Sequence, residues 1–114
     1  MLEFIKNWTK EEYKAYILIY CAHADFVETK EEIDLIKSTI SESVFSKIHR
    51  EFEADNDYQQ FQKIKQNCKK FYATTEQLNG LFDEIKTLML SDGKYDILEE
   101  NLFRALKHQL IENK

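Results

Sequence analysis

The chain contains no proline and only 2 glycines in 114 residues. Proline removes a helical hydrogen bond and glycine costs about 1 kcal/mol in a helix interior, so a chain this poor in both can run helical for most of its length. Lys, Glu, Leu and Ile are plentiful, and apolar residues recur at three-and-four spacing through nearly every segment. The length suffices for one core without disulfide or metal staples. These features predict an all-α fold, a single compact helical bundle of about six to seven helices spanning residues 1–114.

The segments follow from caps and stripes. Leu2, Phe4, Ile5 and Trp8 form an apolar lead-in. Thr9-x-x-Glu12 has capping-box spacing, and Trp8 and Tyr13 are placed for a hydrophobic staple. The first long helix is expected from about Lys10 to His23. Its apolar residues cover nearly every face, which predicts a central, buried helix whose tyrosines pack their rings and send their hydroxyls to the surface. Thr29 should start a second helix carrying Ile33, Leu35, Ile36 and Ile40, and Ser41 should cap a third carrying Val44, Phe45, Ile48 and Phe52. The run from Glu53 to Asp57 reads as a break, because its side chains compete for backbone hydrogen bonds. A fourth helix has Tyr58, Phe61, Ile64, Cys68, Phe71 and Tyr72 as its inner stripe, with Lys63 among the outward residues. Thr74-x-x-Gln77 caps a fifth carrying Leu78, Leu81, Phe82 and Ile85, and a sixth is expected from Ile97 onward.

One pattern occurs twice. An apolar helix end, an acidic turn and a capped helix fall around Asp25 and again around Asp92. Asp25 aligns with Asp92, Thr29 with Asp96 and Glu32 with Glu99 at a constant offset of 67. In the second copy Gly93 follows Asp92 and closes a helix, while Asp96 and Glu99 have capping-box spacing. Two such copies predict two pseudo-symmetric halves, with Asp25 and Asp92 in equivalent places.

Composition excludes several classes of function. The formal charge is −5 and the pI near 5.2. Phosphate-backbone affinity comes from Lys and Arg, so no nucleic-acid partner is expected, and a cationic ligand or basic protein suits the field better. The sequence holds no run of about 20 apolar residues to span a membrane, and its N-terminus lacks signal-peptide features, which predicts a cytoplasmic protein. Two isolated glycines cannot build a phosphate-cradling loop, a dinucleotide fingerprint or a nucleophile elbow. His23, His49 and His108 form no paired metal-ligand spacing. Cys21 and Cys68 sit on apolar helical faces and read as buried thiols. No nucleophile or general base is fixed by its neighbours, so no catalytic activity is expected.

The acidic turns leave two readings open. A calcium-binding EF-hand loop needs oxygen ligands at positions 3 and 12, where counting from Asp92 gives Lys94 and Phe103, and counting from Asp25 gives Val27 and Ile36. An EF-hand is therefore excluded. The same acids can cap helices and accept from loop amides, or hold a divalent cation through Asp25, Glu32, Asp92, Asp96 and Glu99.

The segments Ile19-Tyr20-Cys21-Ala22-His23-Ala24-Asp25 and Leu90-Ser91-Asp92-Gly93-Lys94-Tyr95-Asp96, with the capping residues that follow each, resemble the TerB-like tellurite-resistance superfamily. That resemblance spans about residues 10–112 and implies an all-helical fold of two related halves. It also implies a bacterial, stress-linked role in metal-oxyanion resistance, with loop acids proposed to take divalent cations. By position these are Asp25, Glu32, Asp92 and Glu99, while Thr29 lacks the charge of Asp96 and Phe26 replaces the family's glycine. A fused J domain is excluded, since its His-Pro-Asp motif needs a proline. The resulting expectation is a non-enzymatic stress-response or scaffold domain that binds a divalent cation or a protein partner through its acidic turns. The alternative is an acidic immunity or antitoxin-like protein bound to a basic partner, which solvent-exposed aromatics beside the acids would favour.

Overall fold

A computed structural model describes residues 6–22 and 30–89, together with 104, 105 and 108. Five helices account for nearly all of the two long stretches: α1 (Lys10–Ala22), α2 (Lys30–Thr39), α3 (Glu42–Ala54), α4 (Asp57–Phe71) and α5 (Thr75–Met89). No strand occurs among the described residues, and the all-α expectation holds. The expected sixth helix falls outside the described residues except at Arg104, Ala105 and His108, which are helical. The turns around Asp25 and Asp92, and with them the predicted two-fold relation, also lie outside.

The other four helices all pack on α1. Its sequence explains why: apart from polar residues toward its N-terminus, Lys10, Glu11 and Lys14 among them, Tyr13, Ala15, Tyr16, Ile17, Leu18, Ile19, Cys21 and Ala22 cover nearly every face, and all are buried. A helix that is apolar all round is stable only when enclosed. The surrounding helices are amphipathic and each turns one stripe inward: Ile36 from α2, Phe45, Ile48 and Phe52 from α3, Ile64 and Cys68 from α4, and Leu78, Leu81, Phe82 and Ile85 from α5. Cys21 and Cys68 are buried thiols, as expected.

Local capping sets where the helices begin. At α1 the Thr9 N–H donates to Glu12 Oε1 at 2.8 Å and the Glu12 N–H donates to Thr9 Oγ1 at 3.2 Å, which completes the predicted box. The Trp8 ring lies 6.2 Å from that of Tyr13 and 4.9 Å from that of Tyr16. Thr74 and Gln77 form the same reciprocal pair at α5. Within the run read as a break, Asn56 and Gln59 make a third box, with bonds of 2.8 and 2.9 Å, so the chain passes from α3 into α4 after two residues. Ser41 occupies the N-cap of α3 but makes no side-chain cap; instead its N–H donates to Glu11 Oε2 at 2.9 Å, tying α3 to α1.

Three expectations are corrected. Tyr58, placed on the inner stripe of α4, is 63% exposed. Lys63, placed outside, is buried. The tyrosine hydroxyls of α1 do not reach the surface at Tyr13 and Tyr16, both wholly buried. Tyr13 Oη donates to the Ile64 carbonyl at 2.9 Å and Tyr16 Oη to Asp55 Oδ2 at 2.6 Å, so partners from α4 and the α3–α4 turn replace solvent.

Candidate functional site

Of the residues that the sequence singles out for a cation, Asp25, Asp92, Asp96 and Glu99 lie outside the described residues. Glu32 falls within α2, but its side chain is not among those described. His23 lies outside as well. His49 packs its ring against Phe45 and pairs with Glu53 one helical turn on, at 3.3 Å, and His108 is exposed. Among the described residues no group of three or more His, Cys, Asp and Glu side chains is arranged to hold a metal.

The structure brings together two other polar groupings, one on each side of α1. The first joins α3 and α4. Lys63 Nζ lies 2.7 Å from Asp55 Oδ2 and 2.8 Å from Glu51 Oε2, and Asp55 Oδ2 also accepts the Tyr16 hydroxyl. Lys6 Nζ approaches Glu51 Oε2 at 3.4 Å, and Trp8 Nε1 donates to Glu51 Oε1 at 3.4 Å. Close by, the buried Asn67 accepts from the Lys6 N–H at 2.7 Å and donates to the Lys63 carbonyl at 2.7 Å. Nearly every polar atom here thus has a partner.

Electrostatics decides what this cluster can do. Burial works against charge on Lys63, but the hydrogen bonds and charges of Asp55 and Glu51 outweigh it and raise its pKa. Lys63 therefore stays an ammonium and cannot serve as a base or nucleophile at neutral pH. The Tyr16 phenol is pushed far up by burial, reinforced by its bond to Asp55. Glu12 is held below the usual carboxylate range by Lys47 Nζ at 2.8 Å and by the Thr9 N–H. Each shift locks a group in its ordinary charge state, the reverse of what acid–base catalysis requires.

The second grouping lines a groove of about 500 Å³ between α1 and α5, closed at one side by the end of α2. Its floor is apolar and buried, made of Ile40, Tyr72 and Leu81. Its rim carries Lys10, Glu11, Lys14, Gln77 and Glu84. Lys14 pairs with Glu84 at 2.5 Å, and Lys10 Nζ stands 4.8 Å above the Tyr72 ring. An apolar hollow of about 120 Å³ adjoins it, sharing Thr39 and Glu84 and lined also by Leu18, Leu35, Ile36 and Thr87.

Sequence reasoning missed both groupings. For the first the signal was present: Lys63 stands beside Ile64 and one turn before Asn67, within the inward arc of α4. The groove depends on residues far apart in the chain, and only Gly80, a glycine inside an otherwise regular helical stripe, marked it.

The described helices include none long and apolar enough to cross a membrane. Charge is unevenly spread along the chain. Residues 6–22 and 30–89 carry 13 acidic against 12 basic side chains. The rest of the chain carries Glu3, Asp25, Glu28, Asp92, Asp96, Glu99, Glu100 and Glu112 against Lys94, Arg104, Lys107 and Lys114. Comparison with protein-family models, curated proteins and solved structures yields no match, so the functional reading rests on these residues alone.

Proposed function

We propose that the chain is a non-enzymatic helical binding domain of the stress-response or scaffold type that its TerB-like motifs suggest, engaging a divalent cation or a basic protein partner through its acidic inter-helix turns. The observation that carries this reading is the distribution of charge along the sequence: residues 6–22 and 30–89 carry 13 acidic against 12 basic side chains, while the remaining residues, which include both acidic turns, carry 8 against 4. A field concentrated in this way attracts cations to the turns rather than to the molecule at large. The locked titratable groups around Lys63 agree with a body that positions a surface and performs no chemistry.

A specific observation also supports the narrower reading, an immunity or antitoxin-like protein. Tyr58 is the one large apolar side chain strongly exposed among the described residues. It stands at the α3–α4 turn between the exposed acids Glu53 and Asp57 on one side and the polar face of α4 on the other. Tyrosine is enriched among the residues that anchor interfaces, and carboxylates beside it complement a basic partner.

Melting of metal-stripped protein with and without Ca²⁺, Mg²⁺, Mn²⁺ and Zn²⁺, on wild type, Asp25→Asn and Asp92→Asn, tests the cation form, since a ligand of the folded state raises the transition. A rise with one metal that both variants lose supports it. Binding of a lysine-rich peptide that weakens with salt and in both variants supports the protein-partner form; a further loss in Tyr58→Ala assigns it to the narrower reading. Absence of both responses would overturn the proposal.

A further inference from the structure

Three observations of independent origin meet in the α1–α5 groove. Tyr72 is 6% exposed on its floor, and its hydroxyl has no hydrogen-bond partner among the described residues. A tyrosine covered to this extent usually finds a partner for its hydroxyl, and Tyr72 lines the groove. Lys10, at the rim above the Tyr72 ring, makes no ion pair among the described residues. Gly80 lies in the interior of α5, where glycine disfavours helix, yet a Cβ built on it would meet nothing within 4 Å. Crowding therefore does not account for this glycine. The space a side chain would occupy belongs to the groove.

The free capacity of the groove is that of a donor set. Tyr72 Oη and Lys10 Nζ can both donate. Gln77 places its Oε1 on the Ala73 and Thr74 N–H groups, which leaves its amide nitrogen to donate as well. The acids nearby are already engaged: Glu84 with Lys14, and Glu11 with the Ser41 N–H. Burial, with the Glu84 carboxylate adding to it, pushes the Tyr72 phenol up to about 12, so it keeps its proton at any physiological pH. Ile40, Leu81 and the adjoining hollow of Leu18, Leu35 and Ile36 offer an apolar bed beside these donors.

We propose that the α1–α5 groove binds a small organic monocarboxylate, its carboxylate held by Tyr72, Lys10 and Gln77 and its apolar body lying over Leu81 and Ile40 with the space beside Gly80 left open for it. The site is separate from the acidic turns and does not depend on the function proposed for them. Hydrogen bonds to a charged group are the strong kind, so three donors suffice to orient a ligand of this size.

Calorimetric titration of the protein with octanoate, octanamide and octylamine tests the assignment. Octanoate should bind at one site per chain, and the amide and the amine should bind at least tenfold more weakly. Tyr72→Phe and Lys10→Gln should each weaken octanoate about tenfold. Gly80→Leu should abolish binding by filling the groove, with its helical circular dichroism and cooperative melting retained because its side chain enters open space. The proposal is overturned by absence of octanoate binding to wild type, by equal binding of the amide, or by undiminished binding to folded Gly80→Leu.

Discussion

Tyr16 and Tyr72 are both buried tyrosines at the edge of the same core, and they differ in what their hydroxyls meet. Tyr16 donates to Asp55 at 2.6 Å, and Asp55 in turn accepts Lys63. Tyr72 has no partner for its hydroxyl among the described residues and lines the floor of a groove. A satisfied polar group inside a protein fixes the arrangement of the elements that supply its partners, whereas an unsatisfied one imposes a cost that only water or a ligand relieves. The α3–α4 side of α1 is thereby built to hold, and the α5 side to receive.

The largest test of this contrast is Lys63→Ala, which leaves Asp55 without its cation and Glu51 with only the longer ion pair to Lys6. Removing one partner of a buried pair is strongly destabilising, and here, at the edge of the core, a loss of about 3 kcal/mol in denaturant unfolding is expected. Its pH dependence sharpens the point. The folded-state pKa of Lys63 lies above the ordinary 10.5, so its contribution is fully present below that value and is lost as pH rises through the raised one. The gap between wild type and variant should therefore stay constant to about pH 10 and narrow beyond it. A gap that closed near neutral pH would show that Lys63 is not held as an ammonium by these acids.

The tyrosine pair gives the next largest effect. Tyr16→Phe should cost about 2 kcal/mol by leaving Asp55 short of a donor, whereas Tyr72→Phe should be neutral or slightly stabilising because it deletes an unsatisfied group. Equal destabilisation by both would erase the distinction. Smallest, Gly80→Ala should raise stability by about 1 kcal/mol, the helix-propensity difference with no steric penalty. A destabilised Gly80→Ala would mean that the space beside the helix is not open.

These contrasts also mark what was legible in the sequence. The boxes at Thr9 and Thr74 were readable because a cap is local: donor and acceptor stand three residues apart, and nothing distant alters them. The central place of α1 was readable for a related reason, since a helix apolar on nearly every face has only one stable location. Asn56-x-x-Gln59 carried the same signature but sat within a polar run that looked like a plain break. Lys63 was misplaced because residue type was weighed over position: lysine is almost never buried unless paired, and its partners lie 8 and 12 residues back across a turn. Tyr58 erred the other way, as an aromatic assigned inward on type alone. The groove was hardest to see, because its lining comes from α1, the ends of α2 and α4, and the body of α5, and its clearest mark is a missing side chain.

The enclosed position of α1 has a further consequence at the moment of synthesis. The segment Tyr16-Ile17-Leu18-Ile19-Tyr20-Cys21-Ala22 precedes all four of the helices that cover it. A ribosome adding about 5–20 residues per second needs seconds to deliver α3 and α4 after it. Throughout that interval the most apolar stretch of the described chain has no cover of its own, and its tyrosines and isoleucines favour strand pairing with other nascent copies. Yield in cells should therefore depend on how quickly translation proceeds from Lys30 to Phe71, and slow codons placed in that interval should send more of the protein into inclusion bodies than the same codons placed after Met89.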